Sequence, residues 1–260
     1  DSTRIMKKTR DTYALMVMLA PYLVGIAILI IIPGLITFGL AFFNYDLIES
    51  PTFIDVNNFR ELYKDGIFSI AFHNSLTFMA YTVPLKLLAA LGLALLLHKR
   101  FFGSGIYRAM SYVATVIPDV SYALLWLWIF NPIYGPVNVV LTALGIAPVG
   151  WLTEVGATQA AVIIMSVFQV GEGFLVAMAA RREIPKEFYE QMEVERAGSW
   201  SVFRHLTLPL MAPVLMLIFA RDLIFSLQAS FVPALVMTGG GPSPYGTTYL
   251  PLFIYETAFE

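Results

Sequence analysis

Five ionisable side chains, Lys86, Asp119, Glu172, Arg221 and Asp222, stand inside otherwise apolar stretches of this sequence. A charge held in hydrocarbon is expensive, so such groups face protein or water and mark solute pathways, proton relays or internal ion pairs. Polar partners recur around them at helical spacing. Tyr112, Thr115, Asp119 and Tyr122 fall on one stripe, and Ser166, Gln169, Glu172 and Gly173 on another. Asp222, Ser226 and Ser230 form a third. At about 1.5 Å of rise per residue, Lys86, Asp119 and Glu172 share a depth near a bilayer midplane when counted from His98, Arg108 and Arg181. Asp222 is about as deep. Hydroxyls, amides, carboxylates and aromatic rings are what a polyhydroxylated solute needs. The uncharged Asn74, Tyr112, Ser226 and Gln228 can hold one without stranding a charge. The plainer alternative is that Lys86 and Arg221 only neutralise the carboxylates inside a helix bundle, and for Lys86, Arg221 and Glu172 it stands level with a solute role.

Enzymatic chemistry has little support. His73, His98 and His205 have no metal-ligand spacing, and there is no cysteine to act as thiolate ligand or nucleophile. Gly239-Gly240-Gly241-Pro242 lacks the lysine and hydroxyl residue of a phosphate-cradling loop. We therefore expect no catalytic residue, no metal site and no cofactor in this chain.

The elements that must position these groups are membrane helices. The 260 residues are 58% hydrophobic and only 13% charged, with a mean hydropathy of +0.73 and a net charge of −2. That is about half the charge of a typical soluble domain. The composition excludes a soluble enzyme, a disordered chain and a nucleic-acid binder. A span takes about 20 apolar residues, and five stretches qualify, at about 13–43, 70–98, 109–130, 159–180 and 210–237. The first is too long for a secretory-signal core and has no cleavage site, so it is expected to be retained. The fold class is an all-α polytopic membrane protein, with a transmembrane domain over 13–260 behind an N-terminal arm over 1–12. Residues 247–260 look like the approach to a sixth helix that is lacking.

Basic residues set the orientation. Arg4, Lys7, Lys8 and Arg10 lie before the first span, and Lys99, Arg100 and Arg108 between the second and third. Arg181, Arg182, Lys186, Arg196 and Arg204 lie between the fourth and fifth. The opposite side has only Arg60 and Lys64. The N-terminus is thus expected in the cytoplasm of a multi-pass inner or plasma membrane protein.

The connection over 181–207 carries its own pattern. Pro185 suits a first helical turn, Lys186 to Arg196 is a good helix former, and Ala197-Gly198-Ser199 ends it. Phe188, Tyr189 and Met192 make one apolar stripe beside Glu187, Glu190 and Glu193. Helices that lie on headgroups usually carry a basic polar face, and this acidic one fits a protein partner better.

Glu190-Gln191-Met192 followed by Leu206-Thr207-Leu208-Pro209 resembles the signature of binding-protein-dependent ABC importer permeases. That signature reads E-A-A, three residues, glycine, nine residues, I-x-L-P. The run Ile184 to Glu190 (IPKEFYE) is similar to the carbohydrate-uptake branch, which includes maltose, trehalose and glycerol-phosphate permeases. Phe130 to Asn138 (FNPIYGPVN), Met237 to Pro242 (MTGGGP) and His73 to Phe78 (HNSLTF) match in order, so the resemblance covers about 13–260. Gln191 and Met192 replace the two alanines, and Arg196 stands where the signature has glycine, with Gly198 as a substitute break.

The resemblance implies a six-span permease core with five spans clear. It implies a coupling helix built from Phe188, Tyr189, Glu190, Gln191, Met192, Arg196 and Gly198, with Glu190 facing a basic group on a cytoplasmic ATPase. Its partners would be a second homologous permease subunit, a dimer of ATP-binding subunits that bind the ATP, an extracytoplasmic sugar-binding protein, a sugar and membrane lipid. Asn74, Tyr112, Asp119, Tyr122, Gln169, Glu172, Asp222, Ser226 and Gln228 would line the solute pathway. An ion-coupled secondary transporter using the intramembrane carboxylates is the alternative, although it would need more spans and usually a repeat. A membrane-embedded enzyme would need a catalytic cluster at one interface, which the sequence does not offer.

Overall fold

The computed structural model describes residues 15–45, 48–98 and 102–259. The N-terminal arm with its four basic residues, and Lys99 and Arg100, lie outside the described residues. The chain divides into two compact units, residues 1–66 and 67–260.

In the first unit, α1 (Leu15–Leu40) is apolar all round and has no buried residue, as expected of a helix solvated by lipid. A wider π turn at Ala27–Ile31 precedes Pro33, with the amide of Ile32 donating to the carbonyl of Ala27. Proline lacks the N–H and crowds the preceding turn, which a wider turn relieves. Two short antiparallel strands follow, β1 (Phe43–Asn44) and β2 (Thr52–Phe53), with Phe43 opposite Phe53, and then the short helix α2 (Asn57–Lys64).

The second unit begins within α3 (Gly66–Leu97), which runs for 32 residues through Pro84. Where the sequence suggests one unbroken third span, the structure has two short helices, α4 (Ser104–Val113) and α5 (Asp119–Ile129). The break is Pro118, which disfavours helical geometry at Ile117 and stands in an extended conformation before α5. After α6 (Pro136–Ala143), the fourth span is broken as well. α7 (Val155–Phe168) and α8 (Gly171–Glu183) meet at 44°. A side chain at Gly171 would sit 2.9 Å from the carbonyl of Ser111 and the Cα of Tyr112, so this glycine lets α8 start directly against α4.

The connection helix α9 (Lys186–Val194) stands alone, as expected. The second short helix expected at Ser199 is instead the first turns of α10 (Ser199–Thr238), a single 40-residue helix into which the fifth span is absorbed. A π turn at Phe203–Thr207 absorbs Pro209, and another at Ala234–Thr238 closes the helix. The last described element, α11 (Leu250–Phe259), is a ten-residue apolar helix. Among the described residues, three helices are long and apolar enough to cross a bilayer, and four if α7 and α8 count as one broken span.

Three clusters hold the second unit together. Toward the connection, Ala90, Ala94, Phe174, Ala177, Met211 and Leu215 pack α3, α8 and α10, with alanines allowing close helix approach. Toward the loops, Tyr122, Trp126, Phe130, Met165 and Met237 form a second cluster. Phe78, Val162, Ala234, Tyr249 and Leu252 form a third, which brings α11 onto α3, α7 and α10.

Candidate functional site

The polar chemistry of the second unit gathers at three levels: the connection, the middle of the helices and the opposite loops. At the connection, α9 exposes Phe188 (44%), Glu190 and Gln191, while Tyr189 and Met192 are half-buried. Glu187, Glu190, Gln191, Val194 and Glu195 line a shallow acidic groove of about 420 Å³. Two contacts tie α9 to the span ends. The Tyr189 hydroxyl lies 3.0 Å from the Thr207 hydroxyl, and the Arg181 guanidinium sits 4.2 Å above the Tyr189 ring, within cation–π range. Thr207 is a positioning residue that the sequence did not single out.

The end of α9 explains the glycine of the signature. Ala197 donates to the carbonyl of Met192 and Arg196 to that of Glu193, the paired bonds of a Schellman turn. That turn needs a left-handed residue at the position of Arg196, which adopts φ +56°. A non-glycine residue pays about 1–2 kcal/mol there. Gly198, expected to supply the break, has φ −68° and is ordinary extended backbone.

At the middle level, four of the five intramembrane charges converge. Arg221 donates from Nη1 to Glu172 at 3.1 Å and from Nη2 and Nε to Asp222 at 2.8 and 3.1 Å. Lys86, half-buried on α3, lies within coulombic range of all three. Asp222 is buried and its Oδ2 has no hydrogen-bond partner among the described residues, whereas the Glu172 side chain is 63% exposed. Arg221 therefore neutralises carboxylates within the chain, and Glu172 presents one face of the pair outward. Asp119 is apart from this group, exposed in the first turn of α5, where the positive end of the helix dipole suits its charge.

The helix breaks rearrange the expected stripes. Tyr112 and Thr115 precede the break at Pro118, while Asp119 and Tyr122 follow it. Tyr112 is 38% exposed, but Tyr122 is buried with its hydroxyl donating to the Met165 carbonyl at 3.1 Å. Gln169 is half-buried in the hinge between α7 and α8. Ser226 is buried and donates to the Leu223 carbonyl, while Gln228 is exposed. Asp119, Glu172, Gln228 and Tyr112 are thus exposed, and Gln169 is half-buried.

At the loop level the polar groups satisfy one another. Gly239, Gly240 and Gly241 have φ of +54°, +86° and +90°, and a Cβ at Gly241 would meet the Thr247 amide nitrogen at 2.5 Å. Three consecutive positive-φ residues suit glycine alone, which accounts for the triple glycine. The turn is clamped by Thr247 donating to the Gly240 carbonyl and by Thr238 and Thr247 joined through their hydroxyls. Asn74, buried on α3, donates to the carbonyls of Tyr245 and Thr248 and accepts from Gln159, which also donates to Gly246. In the FNPIYGPVN run, Asn131 accepts from the amides of Ile133 and Tyr134. Asn138 donates to Pro132 and Val149 and accepts from Val149 and Trp151.

Comparison with known proteins agrees with this architecture. Residues 83–258 match the family described as binding-protein-dependent transport system inner membrane component. The chain is similar to the probable ABC transporter permease protein YesP of Bacillus subtilis, at 29% identity over 98% of this chain and 84% of that protein. It is 28% identical to the trehalose/maltose transport system permease protein MalF of Thermococcus litoralis, over 96% of this chain and 84% of the relative. With the sulfoquinovosyl glycerol transport system permease protein SmoG of Agrobacterium fabrum it shares 29%, over 95% and 80%. Its fold superposes with a TM-score of 0.81, at 22% identity, on a chain of a bacterial ABC transporter that imports the acidic polysaccharide alginate, covering 98% of this chain and 87% of that one. A second structure, of an alginate ABC transporter with an alginate pentasaccharide-bound periplasmic protein, gives 0.78 at 22% identity, over 97% and 85%.

Proposed function

The chain belongs to the family of binding-protein-dependent transport system inner membrane components, and from that premise we propose that it is the membrane-spanning permease subunit of an ATP-driven sugar importer. It is a transport subunit rather than an enzyme, like the permeases it is similar to. The trehalose/maltose and sulfoquinovosyl glycerol relatives support a carbohydrate solute. The periplasmic protein in one structural neighbour supports delivery by a binding protein.

The observation that carries the proposal is α9. It is acidic, exposes Phe188 and Glu190, and is tied to the spans through Tyr189 at its centre. An element of this kind transmits force only if a partner grips its exposed face. A cytoplasmic ATPase dimer docks there, Glu190 meets a basic group, and movement of α9 reaches α8 and α10 from both ends. The N-terminus and α9 lie in the cytoplasm, and the triple-glycine loop lies outside. Tyr112, Asp119, Gln169, Glu172 and Gln228 line the solute path against a second, homologous permease subunit. Asn74, Tyr122, Asp222 and Ser226 shape it from within the packed helices.

Glu190→Lys tests the coupling. Sugar uptake should fall at least about tenfold while the variant still inserts and assembles; normal uptake at normal expression overturns the coupling role. Because the chain has no cysteine, Ser243→Cys and Gly198→Cys, both at exposed positions, report sidedness. The first should react with an impermeant thiol reagent from outside and the second only from inside.

A further inference from the structure

We propose that α2 is an interfacial anchor that binds the phosphate headgroups of anionic lipid through Arg60 and Lys64 at the mouth of the first span. The proposal needs α1 to cross the bilayer, but not the sugar, the ATPase or the direction of the N-terminus.

Depth comes first. Nδ2 of Asn58 donates to the carbonyls of Ala41 at 2.9 Å and Phe43 at 3.0 Å, the groups that follow directly on the last turn of α1. An aromatic chain reinforces the link, with Phe38 against Phe42 at 5.8 Å and Phe42 against Phe59 at 5.4 Å between ring centroids. Phe38 belongs to α1 and Phe59 to α2. The short helix is therefore held where the apolar surface of α1 ends, which is the level of the headgroups.

The face that remains outward has the matching chemistry. Val56, Phe59, Arg60, Tyr63 and Lys64 line one groove of about 420 Å³. Arg60 and Lys64 are four residues apart and share a side of the helix. Tyr63 is 87% exposed, and Phe59 is 43% exposed. An aromatic stripe flanked by cations suits a headgroup boundary, where rings enter the acyl edge and guanidinium and ammonium groups meet phosphate. Glu61 lies outside this groove, across the helix from Tyr63, and its carboxylate accepts from Asn57 at 2.8 Å. The amphipathic α9 differs, since its exposed groove is acidic and would be repelled by such a surface.

The native absence of cysteine makes the test direct. Tyr63→Cys and Glu61→Cys, each carrying a nitroxide, are placed in the assembled transporter in nanodiscs of phosphatidylcholine with or without phosphatidylglycerol. The label at position 63 should be relaxed more by oxygen than by a water-soluble nickel chelate, and the label at 61 the reverse. Adding phosphatidylglycerol should deepen the label at 63, and Arg60→Gln with Lys64→Gln should weaken that response about fivefold for each basic residue removed. Equal aqueous accessibility at 63 and 61 overturns the anchor. So does a label at 63 that is indifferent to phosphatidylglycerol but shielded when the binding protein is added, because the face would then serve a protein. A complex that assembles but fails to transport leaves this readout intact.

Discussion

The loop end of the second unit and the connection helix are both built from short, polar, glycine-punctuated sequence, yet they use it in opposite ways. Around the triple glycine, the side chains of Asn74, Gln159, Thr238, Thr247 and Thr248 are spent on partners inside the protein. On α9, Tyr189 holds the helix through a hydroxyl contact, a cation–π contact and packing on the core cluster, while Phe188 and the glutamates are exposed. A buried polar group left unpaired is costly, so a closed network makes a stiff cap. An exposed acidic face costs little by itself and remains available. The difference separates a region that maintains shape from one that meets a partner.

Gly241→Ala should do the most damage. At φ +90°, with the Thr247 amide nitrogen 2.5 Å from the new methyl, the turn must open at a cost of roughly 3 kcal/mol or more. The purified complex should lose thermal stability and yield; an unchanged melting temperature would mean the loop end is not stiff. Asn74→Ala removes two bonds donated to carbonyls 171 and 174 residues away along the chain and one accepted from Gln159, and should cost about 2–3 kcal/mol, read as a lower melting temperature.

Phe188→Ala inverts the pattern. Its ring is 44% exposed, so stability should change by less than about 0.5 kcal/mol, while uptake falls about tenfold because a hot-spot side chain is lost from the docking face. Loss of both in step would make α9 structural instead. The smallest effect is expected at Arg196, whose φ of +56° is strained for any residue but glycine. Arg196→Gly should stabilise the end of α9 by about 1 kcal/mol, seen as slower proteolysis at 195–198 with uptake retained.

Much of the molecule was legible from residue type and spacing. Of the five apolar stretches, three or four appear as helices long enough to cross a bilayer, and Pro185 with the acidic stripe gave α9 almost to the residue. The midplane depth count put Lys86, Glu172, Arg221 and Asp222 at one level, and the structure brings those four together. These features are local, because hydropathy, helix rise and proline geometry act over a few residues. Asp119 shows where that reach stops. Its depth was countable, but Pro118 breaks the helix before it and sends it to a helix start instead of the charge cluster. The π turns that merge Ser199–Thr238 into one helix were equally out of reach, since they trade one backbone bond pattern for another around prolines. Tertiary structure alone assigned Asn74 and Tyr122 to internal bonds. Their acceptors are main-chain carbonyls of Tyr245, Thr248 and Met165, and a carbonyl is the same on every residue. Which one a side chain reaches is therefore fixed by packing, not by the letters of the sequence.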